Sequence, residues 1–337
     1  MNSTKLTRIL SIDGGGIRGI LPGQILVSLE KKLQAKTNNP EARLADFFDL
    51  MAGTSTGGIL CCIYLTPDEN DRPRFSAEDA VNLYLKNGQA IFKQTFFNMG
   101  GLLNKKYPHK PIEQALENYL GAIRLSDLLK ECLITSYDIE RGHPLFFKRH
   151  RALNNPGYDF LVKDIARATS AAPTYFQPHL ATSFEEVKYA LIDGGVFVNN
   201  PALCAYSEAR LLEFDAKTKA PKAANMLLIS IGTGSTRNTY PYRRAKKWGA
   251  IHWVKPLLDM MMKGVAQTVD YQLTQIFDAA DVPHQYHRIE PTLVHGSSYM
   301  DDCHPENLAN LKADGNESAL NQEVQIDHIA DLLIKHQ

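Results

Sequence analysis

Apolar positions along the chain cluster into short unbroken runs that end in glycine-rich polar turns, with longer stretches of helical period between them. Residues 7–12 (TRILSI), 47–52 (FFDLMA), 188–192 and 226–231 are such runs. An apolar run without alternation predicts a strand covered on both faces. Residues 133–139 and 144–148 predict two more strands, joined at Glu140-Arg141-Gly142-His143 as a hairpin. Helical patterns begin at Pro22, a residue suited to a first helical turn, and run to about 35. Others follow Gly58 and cover 78–89, 159–169, 201–214, 248–275 and 320–336. Residues 68–111 are mixed, and the aromatic, glycine-containing stretch 92–103 has the look of a flap. Strands alternating with helices predict an α/β fold whose mainly parallel central sheet is covered on both faces. Beyond about Ser235 two helical stretches enclose a turn-rich segment, with no clear linker before them. Residues 1–337 therefore read as a single domain, with 236–337 a helical and irregular extension of it.

Composition narrows the class without choosing a function. Lys plus Arg and Asp plus Glu each number 37, so the formal charge is zero and the profile of a nucleic-acid binder is absent. The five cysteines, Cys61, Cys62, Cys132, Cys204 and Cys303, fit neither a disulfide framework nor a zinc site and suit a reducing compartment. Asp13 cuts short the first apolar stretch, so it is no signal peptide, and the longest apolar run, near 59–65, is too short to span a bilayer. The expectation is a cytoplasmic protein that can still associate transiently with the inner membrane surface.

Candidate chemistry sits where the apolar runs stop. Gly53-Thr54-Ser55-Thr56-Gly57 matches G-x-S-x-G after one strand and before a helix, the setting in which a sharp turn exposes a serine hydroxyl. Flanking glycines are expected to let the backbone take that turn. The plainer alternative is a glycine-rich turn with a capping serine. Asp13-Gly14-Gly15-Gly16-Ile17-Arg18-Gly19 follows another strand, and successive glycine amides there form a nest for an anion. In acyl transfer that anion is the tetrahedral oxyanion, each of whose donors is worth about 3–4 kcal/mol of barrier. Gly14-x-Gly16-x-x-Gly19 also fits a dinucleotide fingerprint, but the acidic residue needed at the end of the second strand is replaced by Gly53-Thr54-Ser55. A non-catalytic nucleotide-binding module is therefore the weaker alternative. Asp193-Gly194-Gly195, with Asn199-Asn200-Pro201 behind it, ends a third run. Alone it reads as a turn aspartate; its weight comes from the conjunction. Histidine is the usual base for a serine. His252, His284, His287, His295, His304, His328 and His336 all follow Asp193, and the residues by themselves leave the base open.

Together DGGGIRG (13–19), GTSTG (53–57) and DGG (193–195), in this order, resemble the patatin-like phospholipase family over about residues 6–235. The resemblance implies a three-layer α/β/α fold and a Ser55–Asp193 dyad without a catalytic histidine. It also implies an oxyanion hole from Gly14, Gly15 and Gly16 supported by Arg18, a membrane phospholipid substrate, and neither metal nor cofactor. An acyltransferase on the same site is the alternative. Some bacterial members are anti-phage effectors switched on by cyclic oligonucleotides, so the resemblance admits such an activator.

Two basic and aromatic stretches bear on how lipid is reached. Arg243-Arg244-Ala245-Lys246-Lys247-Trp248 precedes Trp253, Leu257, Leu258 and Met260–Met262, a composition suited to an anionic membrane surface. The competing reading is a solvated loop leading into a core or homo-oligomer-contact helix. Phe146–Arg151 has the same character. Phe92, Phe96 and Phe97 are candidates for an acyl pocket, against the commoner role of core.

Overall fold

A computed structural model describes residues 5–92, 107–214, 219–234 and 239–337. β1 (Thr7–Ile12) leads through the glycine loop to α1 (Ile20–Thr37), and β2 (Leu50–Thr54) runs directly into α2 (Thr56–Leu65). Then come α3 (Ala77–Ile91), α4 (Lys110–Leu120), the hairpin of β3 (Glu131–Asp138) and β4 (His143–Lys148), α5 (Arg149–Asn154) and α6 (Val162–Thr169). β5 (His179–Thr182), β6 (Lys188–Asp193) and α7 (Ala202–Ala209) precede β7 (Met226–Ile231). The chain ends with α8 (Tyr242–Ala245), α9 (Ala250–Asp278), β8 (Tyr286–Ile289), α10 (Pro305–Asn321) and α11 (Glu323–Lys335).

The strands form one eight-stranded sheet in the order β5-β6-β3-β2-β1-β7-β8, with β4 paired to β3. From β3 to β8 along that path every pairing is parallel; β4, β6 and β5 add antiparallel pairings at one side. Each parallel strand hides alternate residues on opposite faces. Leu10, Ile12, Met51, Cys132, Ile134, Leu227 and Ile229 face a large core with α1 and α2. Ile9, Leu50, Ala52, Leu133, Met226 and Leu228 face a smaller one with Ala202, Ala205 and Ala209 of α7 and Leu273 and Phe277 of α9. These are the three layers, and they explain why the strand segments read as continuous apolar runs.

Several boundaries differ from the pattern. The second strand begins at Leu50 because the chain turns through a short 3₁₀ segment, Leu44–Asp46, and Asp49 turns its carboxylate to the Arg8 amide at 2.7 Å. Two further elements lie outside the expected set: β5 is too short to show a period, and α4 buries Ile112, Ala115, Leu116 and Leu120 at helical spacing within the stretch read as mixed and the residues just after it. The turn-rich segment between 275 and 320 also holds more order than expected. β8 lies in it and extends the main sheet beside β7, and α10 packs so closely on α1 that a methyl on Gly315 would lie 2.8 Å from Gln24 Cβ. Phe92 packs edge-on to Tyr107 at 5.2 Å and joins the core; Phe96 and Phe97 lie outside the described residues.

β8 also carries the side chain that anchors the glycine loop. Arg288 Nη1 and Nη2 reach Asp13 Oδ1 and Oδ2 at 3.0 and 2.6 Å, and Nη1 reaches Ser230 Oγ at 2.7 Å. Burial lifts the Asp13 carboxyl to about 6 against the pull of this guanidinium. Against the same cost of burial, Asp13 and Glu290 hold Arg288 above its usual value. Removing one partner of a buried ion pair leaves an uncompensated charge. Arg288→Ala should therefore lower the unfolding free energy by about 3–5 kcal/mol in chemical denaturation at neutral pH. Lys219→Ala, which breaks the exposed pair with Glu213, should leave it unchanged.

Candidate active site

β3 brings the candidate residues together by pairing with two strands in succession. β2 pairs with it up to Thr54↔Thr135, and β6 takes over at Ser136↔Asp193, running antiparallel. The C-terminal ends of β2 and β6 therefore meet head to head, and the residue after Thr54 lies beside Asp193. Side chains lock the junction: Thr135 Oγ1 donates to Thr54 Oγ1 and Thr54 Oγ1 to the Val198 carbonyl, both at 2.8 Å. Ser136 Oγ donates to the Ile192 carbonyl at 2.7 Å.

Ser55 stands at this junction with φ 54° and ψ −121°, a conformation an L-residue adopts at a cost on the order of 1–3 kcal/mol. The strain is carried by the serine itself and not by its glycines. Gly53 and Gly57 are required for close approach: a methyl on Gly57 would lie 2.2 Å from the Ile12 carbonyl oxygen, and one on Gly53 2.4 Å from Gly57 backbone. Although Ser55 precedes α2, its side chain makes no capping bond. Its Oγ instead donates to Asp193 Oδ2 at 2.6 Å, and its amide donates to Thr169 Oγ1 at 2.9 Å.

Asp193 serves the turn and the serine with different oxygens. Oδ1 accepts from the Gly195 amide at 2.7 Å and Oδ2 from Ser55. No histidine or cation among the described residues bonds to either oxygen. With 5% of its surface exposed and no cation to offset it, the carboxyl is pushed up by burial to about 6, the two hydrogen bonds pulling the other way. At pH 7 roughly nine-tenths is still ionised.

The glycine loop lies against Ser55: a methyl on Gly14 would come within 3.3 Å of Ser55 Cβ. Of the three amides expected to form the anion nest, that of Gly14 is engaged, donating to the Asn199 carbonyl at 3.0 Å, and so is not available to an oxyanion. Gly15 and Gly16 amides have no acceptor among the described residues. Two side chains fix how those amides point. Thr233 Oγ1 donates to the Gly14 carbonyl at 2.7 Å, and Arg18 Nε to the Gly15 carbonyl at 3.3 Å. In a trans peptide the carbonyl and the next N–H point in opposite directions, so pinning the two carbonyls aims the Gly15 and Gly16 amides away from Thr233 and Arg18. Arg18, buried and also bonded to the Gly234 carbonyl at 3.2 Å, thus acts on the loop through its backbone.

Sequence reasoning missed Thr169, Thr233, Arg288 and the Thr54–Thr135 ladder. For Thr54, Thr135 and Thr233 the available signal was a hydroxyl residue inside or just after an otherwise apolar strand; Thr169, at the end of α6, and Arg288, in β8, carry no such signal. Asn199 was noted only as a neighbour; its Oδ1 is buried without a hydrogen-bond partner, between Gly14 and Gly195. Among the described residues one carboxylate–imidazole group is close enough to share an ion, His295, Asp314 and Glu317. It lies on the C-terminal segment, and Asp314 already accepts the amides of Val294, His295 and Gly296.

Fold and site together have the form of an α/β serine hydrolase. The family model for patatin-like phospholipases matches residues 10–206. Patatin-17 of Solanum cardiophyllum is 38% identical over 337 residues, covering 96% of this chain and 86% of that protein. A Solanum tuberosum protein named probable inactive patatin-3-Kuras 1 is 36% identical over 336 residues, covering 96% and 89%. The chain belongs to the patatin-like phospholipase family, and with it to the lipid acyl hydrolases. Among solved structures, VipD from Legionella pneumophila overlays at TM-score 0.39 with 13% identity, covering 99% of this chain and 68% of that one, too loose a likeness for residue-level comparison.

A carboxyl whose folded value is raised binds its proton more tightly folded than unfolded. It therefore costs stability as pH rises from its unfolded value to its folded one, here from 3.8 to about 6. Asp193→Asn should remove that cost. At pH 8 the variant should be more stable than the parent by up to on the order of 3 kcal/mol, and the difference should vanish towards pH 4, as read by thermal denaturation across pH.

Proposed function

We propose that the chain hydrolyses acyl ester bonds of phospholipids, with Ser55 as nucleophile and Asp193 as its general base. The hydrogen bond from Ser55 Oγ to Asp193 Oδ2 at 2.6 Å, made by a strained serine, carries this reading. The Oγ proton passes to Oδ2 as Oγ adds to the ester carbonyl. The oxyanion is held by the Gly15 and Gly16 amides, whose direction Thr233 and Arg18 maintain. Asp193 then returns the proton to the departing lysolipid alkoxide, leaving the acyl chain on Ser55. A water molecule, deprotonated by Asp193, adds to that ester; collapse restores the serine and releases fatty acid. A carboxyl at about 6 suits both halves, being ionised enough to accept a proton at neutral pH and acidic enough to give it back.

The whole described C-terminal segment belongs to this proposal as one domain with the rest, since β8 lies in the same sheet and Arg288 anchors the loop. No helix among the described residues is long and apolar enough to cross a membrane. Neither relative bears on a cyclic-oligonucleotide activator or an anti-phage role, and the proposed chemistry requires neither.

Ser55→Ala should reduce release of fatty acid from phospholipid vesicles by at least about 10³-fold, because residues that act as a unit fail together. Mass spectrometry of the products checks this, and retained hydrolysis would refute the assignment. A competing alcohol in the same assay separates hydrolysis from acyl transfer. The base acts only when ionised, so kcat/KM on a soluble ester should fall tenfold per pH unit below about 6 and level off above it.

A further inference from the structure

A surface helix normally has one apolar stripe, and it faces the core. α9 has two. Taking 100° per residue, Met262, Val265, Val269, Leu273, Ile276 and Phe277 fall on one side of the helix. On that side Val269, Leu273 and Phe277 are buried against α7 and the sheet. Trp253, Leu257, Met260, Met261 and Tyr271 fall within an arc of about 100° on the opposite side. These five are 37–66% exposed. Gly264 falls in the same arc, and a methyl built on it meets nothing within 4 Å. The exposed stripe extends over about 27 Å of helix, more than scattered surface hydrophobics account for.

Charge indicates the occupant. Arg243, Arg244, Lys246 and Lys247 immediately precede the helix and are exposed. The only acid between residues 239 and 269 is Asp259. It is already bonded to Tyr240 Oη and Lys263 Nζ, both at 3.0 Å. A second copy docking through the same face would offer these cations only one acid from residues 239–269, the already bonded Asp259. An anionic phospholipid surface offers what both parts need: acyl chains for the stripe and headgroup phosphates for the cations.

Position connects this face to the site. On the inner side of the helix Met262 reaches the turn that follows Asp193; a methyl on Gly195 would lie 3.7 Å from Met262 Cε. One helix, about 10 Å across, therefore separates the exposed stripe from the aspartate turn.

We infer that the outer face of α9, with the basic segment 243–247, is the surface by which this protein docks on anionic phospholipid bilayers. The inference rests on the acyl-hydrolase reading only for its reason to visit a bilayer. Co-flotation of the full chain with vesicles of phosphatidylglycerol and phosphatidylcholine tests it, run on the parent sequence and on Ser55→Ala. Two variants are compared in each background: Leu257→Gln/Met261→Gln, and Arg243→Gln/Arg244→Gln/Lys246→Gln/Lys247→Gln. The first should reduce binding at least tenfold on these vesicles, and the second should abolish the preference over pure phosphatidylcholine. In the parent background, turnover of a dissolved short-chain ester should stay within twofold for both, which also shows that they fold. Binding unchanged in the apolar variant would overturn the inference. So would a parent dimer, seen by sedimentation, that the same substitutions convert to monomer without loss of flotation. Because flotation is read on Ser55→Ala as well, a failure of the catalytic assignment would appear as ester turnover absent from the parent, or retained by Ser55→Ala, with the binding differences intact.

Discussion

The register of β3 with its two partners on one side is the constraint on which the site depends. β2 occupies that side up to Thr135, and β6 enters antiparallel from Ser136 onward. Two strand ends thereby abut, and the residues that leave them, 138 positions apart in sequence, share a hydrogen bond. A slip of one residue along β3 would turn Asp193 to the other face of the sheet. The hydroxyl ladder through Thr135 and Thr54 to the Val198 carbonyl opposes that slip, at the expense of burying polar groups where aliphatic ones would pack.

The arrangement stores unfavourable terms that the rest of the fold must offset. Ser55 is held off its preferred backbone region, and Asp193 is buried without a cation. Two loop amides are left without acceptors beside them. The large core on one side of the sheet and the α7–α9 core on the other supply the compensating burial. The C-terminal segment does more than cover the sheet. Arg288 clamps Asp13 at the root of the glycine loop, and the Met300 carbonyl accepts the Ile17 amide at 2.9 Å on its far side.

Much of the architecture is legible in the amino-acid sequence. Unbroken apolar runs predicted strands covered on both faces, and Met226–Ile231 and Thr7–Ile12 have the expected bounds. β8 was not legible: YHRI carries a histidine and an arginine, and it becomes a strand only because the edge of β7 is there to pair with it. β5, HLAT at the opposite edge, is another such case. At the site, the glycine-framed motifs pointed to Ser55, Asp193 and the loop. They could not show that the Gly14 amide is taken by Asn199, nor that Arg18 works through carbonyls, because both depend on which backbone group happens to lie across the gap.

Local pattern thus determined the alternation of strands and helices, the family, and the short glycine segments where chemistry was to be sought, since these depend on neighbours a few residues apart. Tertiary structure decided which polar groups meet. Whether a serine finds an aspartate or a histidine, which amides stay free, and whether the second apolar stripe of α9 faces core or solvent are set by strand order and helix docking. Those depend on contacts between residues far apart in the chain, 138 positions for Ser55 and Asp193, and no local spacing encodes them.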